Sequence, residues 1–248
     1  MILNLTLLFL AALIPGLVMT RVQHINSDKL RLILIFGGAY LFSITIVHIF
    51  PELYSAANGQ AYKIGIYVLV GFFMQQVLEY FTSGVEHGHM HRHEHNHQHG
   101  QFTSLVVLVA LCLHAFLEGA LLAHPSAIHT HNDSAALLGG IIIHKIPAAI
   151  ALMSVLLCDV PSKKKAILYL LLFAIASPLG LLASDMASAF GVLSEEVILV
   201  IFGVVSGNFL YISTTIFHET SPNHQFNGRK TVVSLFGVLV AVLAELFF

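Results

Sequence analysis

Leu111-Cys112-Leu113-His114-Ala115-Phe116-Leu117-Glu118-Gly119-Ala120 sets an imidazole and a carboxylate four residues apart in an otherwise apolar stretch. On a helix that spacing puts both on one face. The run that holds them, residues 103–123, has the length that crosses a bilayer as a helix. Ionisable side chains in hydrocarbon are costly and mark function by default. The next apolar run carries a second histidine, in Ile143-His144-Lys145-Ile146-Pro147. Two imidazoles and a carboxylate suit a divalent transition metal.

The rest of the chain extends this pattern. Hydrophobic residues make up 57% of the 248 and charged residues 10%. Eight apolar runs are read as spans: 2–20, 31–50, 62–81, 103–123, 135–157, 166–187, 197–217 and 232–248, the last being short. The expected fold is all-α, a polytopic membrane protein of eight transmembrane helices in a single domain, 1–248. The first run lacks a basic start and a small-residue cleavage site, so it reads as a mature span. Cys112 and Cys158 lie in or beside spans and give no disulfide framework. A net charge of −2 gives no basis for a nucleic-acid partner. The expected partners are a metal ion and the lipid bilayer.

Charge placement sets the orientation. Arg21, Lys29, Arg31, Arg92, Lys163, Lys164, Lys165, Arg229 and Lys230 fall at the odd-numbered connections, and only Lys63 at an even one. Positive charge stays inside, so the odd connections are cytoplasmic and both termini lie on the non-cytoplasmic side. The third connection holds His87, His89, His91, His93, His95, His97 and His99 in alternation. Residues 84–101 are too polar for a core and read as a disordered cytoplasmic loop. Neutral imidazoles there would collect zinc-like ions weakly at many sites.

Depth brings the two central segments together. His114 lies roughly 18 Å from the inner end of span four at 1.5 Å per residue. His144 lies roughly 15 Å from the outer end of span five by the same rise. Both fall near the midplane, so His114, Glu118 and His144 meet if spans four and five pack together. Pro147 releases the carbonyl of Ile143, and a helix broken there would line a cavity. Gly119, Gly139 and Gly140 permit close helix approach. Lys145 is too deep to snorkel easily and needs a carboxylate, for which Glu118 is nearest in depth. His48 and Glu52 end span two on the outer side, an entrance; His218 and Glu219 end span seven on the inner side, an exit. These two His–acid ends on opposite faces give the chain an inverted-repeat character. Gln75, Gln76 and Glu79 are further candidates for lining the pathway. His124, His129, His131 and Asp133 in an outer loop either collect metal or are simply solvated. Gly203-x-x-x-Gly207 is either a packing face within the chain or a dimer face.

At these residues the chain resembles the ZIP (Zrt/Irt-like) family of divalent-metal transporters. His114-x-x-x-Glu118-Gly119 resembles the fourth-span motif of that family and His144-x-x-Pro147 its fifth-span motif. Ser177-Pro178-Leu179-Gly180 and Gly207-Asn208-Phe209-Leu210-Tyr211 resemble its sixth and seventh spans. The resemblance implies a metal site between helices four and five, release past His218 and Glu219, import toward the cytoplasm and a homodimer in the plasma (inner) membrane. Family members often hold two adjacent metals. Here Lys145, Ala148 and Ala115 replace the second set of ligands, so Lys145 is expected to stand where a second ion would be.

Three other classes compete with a transporter of zinc or another divalent transition metal. A zinc exporter of the cation-diffusion type would end in a soluble domain, and this chain ends in a span. An intramembrane metal-dependent hydrolase needs a water and a general base, and only Glu118 offers one. A haem protein pairs histidines as axial ligands, and Glu118 beside them argues against that. The expectation is therefore a transporter and not an enzyme, working by alternating access.

Overall fold

The computed structural model describes residues 1–21, 27–57, 59–82, 101–123, 134–219 and 228–247. Among these the long elements are helices and no strand occurs. We label them α1 (Ile2–Met19), α2 (Ser27–Ile44), α3 (Phe50–Ala56), α4 (Ala61–Thr82), α5 (Gln101–Leu121), α6 (Ser134–Asp159), α7 (Lys163–Ala189), α8 (Glu195–Glu219) and α9 (Gly228–Phe247). A π turn, Thr45–Ile49, joins α2 to α3, so these two form one rod. Seven rods are long and apolar enough to cross a membrane. The eighth, α9, is apolar between Lys230 and Glu245 and lies along α2, where the Phe36 and Phe236 rings sit 5.7 Å apart. The chain is an all-α polytopic membrane protein.

Two expectations about helix ends need correction. Span two does not stop at residue 50: the rod continues through Pro51 to Ala56. Pro147 does not break span five either, since α6 is one helix from Ser134 to Asp159. Proline is tolerated inside a membrane helix where packed neighbours re-satisfy the freed backbone. Pro15 and Pro178 likewise sit inside α1 and α7.

The helix ends are fixed by local chemistry. Ser194 Oγ accepts from the Val197 N–H at 3.3 Å and caps α8. Glu195 and Glu196 follow in its first turn, where negative charge suits the helix dipole. Gly191, at φ +67°, takes the left-handed conformation that ends α7, and the Val192 N–H closes back on the Ala187 carbonyl at 2.8 Å. At the other end of α7, Lys163 Nζ donates to the Thr20 carbonyl at 2.7 Å and satisfies the end of α1.

Close helix crossings rest on glycine. A side chain at Gly119 of α5 would strike the Ser177 backbone of α7, and one at Gly180 of α7 would strike the Phe116 backbone of α5. The same reciprocal contact joins α4 and α8, through Gly71 against Val204 and Gly207 against Val68. Asn208 strengthens it: with its amide nitrogen facing the carbonyls, it donates to Gly71 O at 2.6 Å and Val204 O at 3.2 Å. Gly203 meets Tyr67 of α4 as well. The Gly203-x-x-x-Gly207 face is thus used inside the chain. Lipid gives no hydrophobic drive to join helices, so van der Waals contact between backbones carries much of the association.

Buried apolar residues form two clusters. One gathers Met19, Leu30, Val107, Leu156 and Ala166, and the other Leu8, Ile49, Leu122, Leu137 and Ile198. Between them along α5 and α6 lies a layer of buried polar groups: His114, Glu118, His144 and Lys145.

Candidate metal centre

The centre is built from two adjacent helices. On α5, His114 and Glu118 share a face, and His114 Nε2 lies 3.1 Å from Glu118 Oε1. On α6, His144 brings its ring to 5.9 Å from the His114 ring, centroid to centroid, at 88°. One donor atom from each of His114, Glu118 and His144 lies within 4.8 Å of the other two, and no other such trio occurs among the described residues. Two nitrogens and one oxygen at that spacing can close on a zinc-like ion with bonds of roughly 2.0–2.2 Å. A fourth position is left for water.

Lys145 belongs to the same cluster. Its Nζ donates to Glu118 Oε2 at 2.8 Å, and it lies 5.4 Å from the Phe173 ring centroid. Glu118 thus divides its oxygens, Oε1 toward His114 and Oε2 toward Lys145. All four side chains belong to residues no more than 3% exposed, so neither charge is screened by bulk solvent. Ser177 Oγ donates to the Ala115 carbonyl at 2.6 Å and pins α7 to α5 beside the centre. Ser177 and Gly180, like Gly207 and Asn208, therefore act in helix crossings.

The remaining candidates are spread along the bundle. His48 is buried in the π turn at the end of α2, with Nε2 at 3.6 Å from Glu52 Oε2. Its Nδ1 meets a residue absent from the sequence-based candidates, Glu245 of α9, at 3.0 Å from Oε2. Glu245 is the lone acid of the last apolar run, and charge placement puts that end on the same side as His48; those two facts were the available signal. Gln75 is buried on α4 one turn before Glu79. Gln76 is exposed on the same helix. His218 and Glu219 form the last residues of α8, with side chains outside the described structure. His87, His89, His91, His93, His95, His97, His99, His124, His129, His131 and Asp133 lie outside the described residues.

A comparison with curated proteins finds no match. The family model described as ZIP zinc transporter matches residues 83–245, which takes in α5 to α8, all but the last two residues of α9, and the whole central cluster. Eight apolar rods and a buried His–Glu–His set agree with that match, which spans the greater part of the chain: the protein belongs to the ZIP zinc transporter family.

Proposed function

We propose that the protein imports a divalent transition metal, zinc foremost, toward the cytoplasm by alternating access, with His114, Glu118 and His144 as the transport site. Membership of the family gives divalent-metal transport. The observation that carries the site is the convergence of those three donors, buried between two apolar clusters. Imidazole favours zinc-like ions over magnesium and calcium, which prefer oxygen. The metal enters past His48 and Glu52, exchanges water for the three donors, and leaves past His218, Glu219 and the histidine loop. Both termini face outward in the plasma membrane, as the charge distribution supports.

Glu118 supports transport over hydrolysis. In this site one Glu118 oxygen, Oε1, turns to the metal beside His114 and the other, Oε2, is held by Lys145, so neither serves as a general base for a water. The site takes one ion, because the Lys145 ammonium sits on the oxygen that a second ion would share.

The packing suggests what moves. α5 interlocks with α7, and α1 lies along α6 and α7; α4 interlocks with α8, and α9 with α2. The first group carries all three donors, and the second forms the wall it moves against.

Zinc uptake into proteoliposomes is the test. His114→Ala and His144→Ala should each reduce uptake to the level of protein-free vesicles. Full uptake in both variants would sink the site assignment.

A further inference from the structure

The outer end of the bundle holds a second histidine arrangement built like the first. His48-x-x-x-Glu52 repeats the four-residue spacing of His114-x-x-x-Glu118. Pro51 has no N–H to return to Val47, and the rod answers with a π turn in which the Phe50 N–H reaches back to the Thr45 carbonyl. π turns of this kind recur at functional sites. Here the turn carries His48, 2% exposed, against α9.

Each edge of the ring faces a carboxylate. His48 Nδ1 lies 3.0 Å from Glu245 Oε2 and 3.2 Å from Oε1. An ionised carboxylate only accepts, so that contact places the ring hydrogen on Nδ1. In the neutral ring the lone pair is then on Nε2, directed toward Glu52 Oε2 at 3.6 Å. That distance exceeds a hydrogen bond. It is close to the separation of about 3.4 Å between two donors on one tetrahedral zinc with bonds near 2.1 Å. Histidines that bind metal commonly give their other N–H to a carboxylate, which fixes tautomer and ring direction. Glu52 is 16% exposed in its side chain, so the pair lies beside the surface, with His48 Nε2 and Glu52 Oε2 themselves buried.

We propose that His48 Nε2 and Glu52 form a second binding pair for a zinc-like dication at the outer end, and that Glu245 is the residue that positions His48 for it. The inference rests on the reading of His48 and Glu52 as the entrance and extends it to the last helix. The competing arrangement is a doubly protonated ring held between two carboxylates, which binds no metal.

Binding of ¹¹³Cd²⁺ to the full-length protein in detergent separates the two. The background carries His114→Ala and His144→Ala, with the seven loop histidines changed to glutamine, so a failure here is distinct from a failure of the central site in the uptake assay. A cadmium resonance is expected that disappears with His48→Ala and with Glu52→Ala. Glu245→Ala should weaken this site by about 10–100-fold. Glu245→Gln, whose amide oxygen still accepts the Nδ1 hydrogen, should restore most of that loss. With the central donors intact, Glu245→Ala should raise the KM for zinc uptake more than it lowers the maximal rate. Absence of any His48-dependent cadmium signal overturns the site. Equal affinity in Glu245→Ala and its parent, or equal loss in the alanine and glutamine variants, overturns the positioning role.

Discussion

Lys145 is the residue that sets this chain apart within its own centre. A lone ammonium at that depth is very costly, and the 2.8 Å contact with Glu118 offsets the cost only while both partners stay. Removing one partner of a buried pair costs about 3–5 kcal/mol. Lys145→Met should therefore lower the melting temperature in chelator, and added zinc should recover more of it than in the parent, because a dication takes over the neutralisation of Glu118. Thermal unfolding in detergent with and without zinc checks this; an unchanged melting temperature in chelator means the pair does not hold the centre together. Lys145→Asp goes further and should raise the zinc bound per protomer, counted by metal analysis after desalting. His114, Glu118 and His144 were legible as a cluster because helical rise fixes depth and the short connection between α5 and α6 makes them neighbours. Glu245 was not legible. It pairs with His48 across 197 positions of sequence, and nothing local signals a contact set by which helix packs against which.

The helices themselves were legible by length and hydropathy; their proline positions were not. Ending span two at residue 50 and reading Pro147 as a break follow rules that hold in water, where an unsatisfied carbonyl is hydrated and the helix ends. Inside a packed bundle the same residue leaves α6 continuous and turns the end of α2 into a π turn. Glycine behaved more plainly. Gly119 and Gly180 lie where α5 and α7 touch backbone to backbone, and Gly119 directly follows Glu118. Gly119→Ala and Gly180→Ala should each cost about 1–3 kcal/mol by overpacking, and Gly119→Ala should also weaken zinc binding by displacing Glu118. Gly65, with nothing within 4 Å of an added Cβ, is the control. Gly65→Ala should leave both melting temperature and uptake unchanged, and a loss there as large as at Gly119 would remove the special status of the crossing.

Across the whole molecule the tight crossings and the looser seam divide the work. α5 with α7, and α4 with α8, are locked by paired glycines that leave no room to slide. α2 meets α6 differently: Tyr40 donates to the Ala136 carbonyl at 2.8 Å, its ring lies over Gly140, and Gly37 faces the Ile143 side chain. A single hydrogen bond and aromatic contacts can be remade after a small displacement, whereas interlocked backbones cannot. In the alternating access proposed above, the seam is where one group would move against the other, so a bulky residue there should obstruct the movement. Gly37→Leu would place its Cβ 3.3 Å from the Ile143 Cγ2 methyl, closer than an ordinary contact, with the rest of the side chain wedged into the seam. All three proposed metal donors sit on α5 and α6, on one side of that wedge, so zinc affinity measured in detergent should stay within a few-fold of the parent. The maximal rate of uptake into proteoliposomes should fall by at least about ten-fold, the effect of roughly 1.4 kcal/mol on a rate-limiting barrier. If affinity instead collapses together with rate, Gly37 serves the packing of the centre and the seam lies elsewhere.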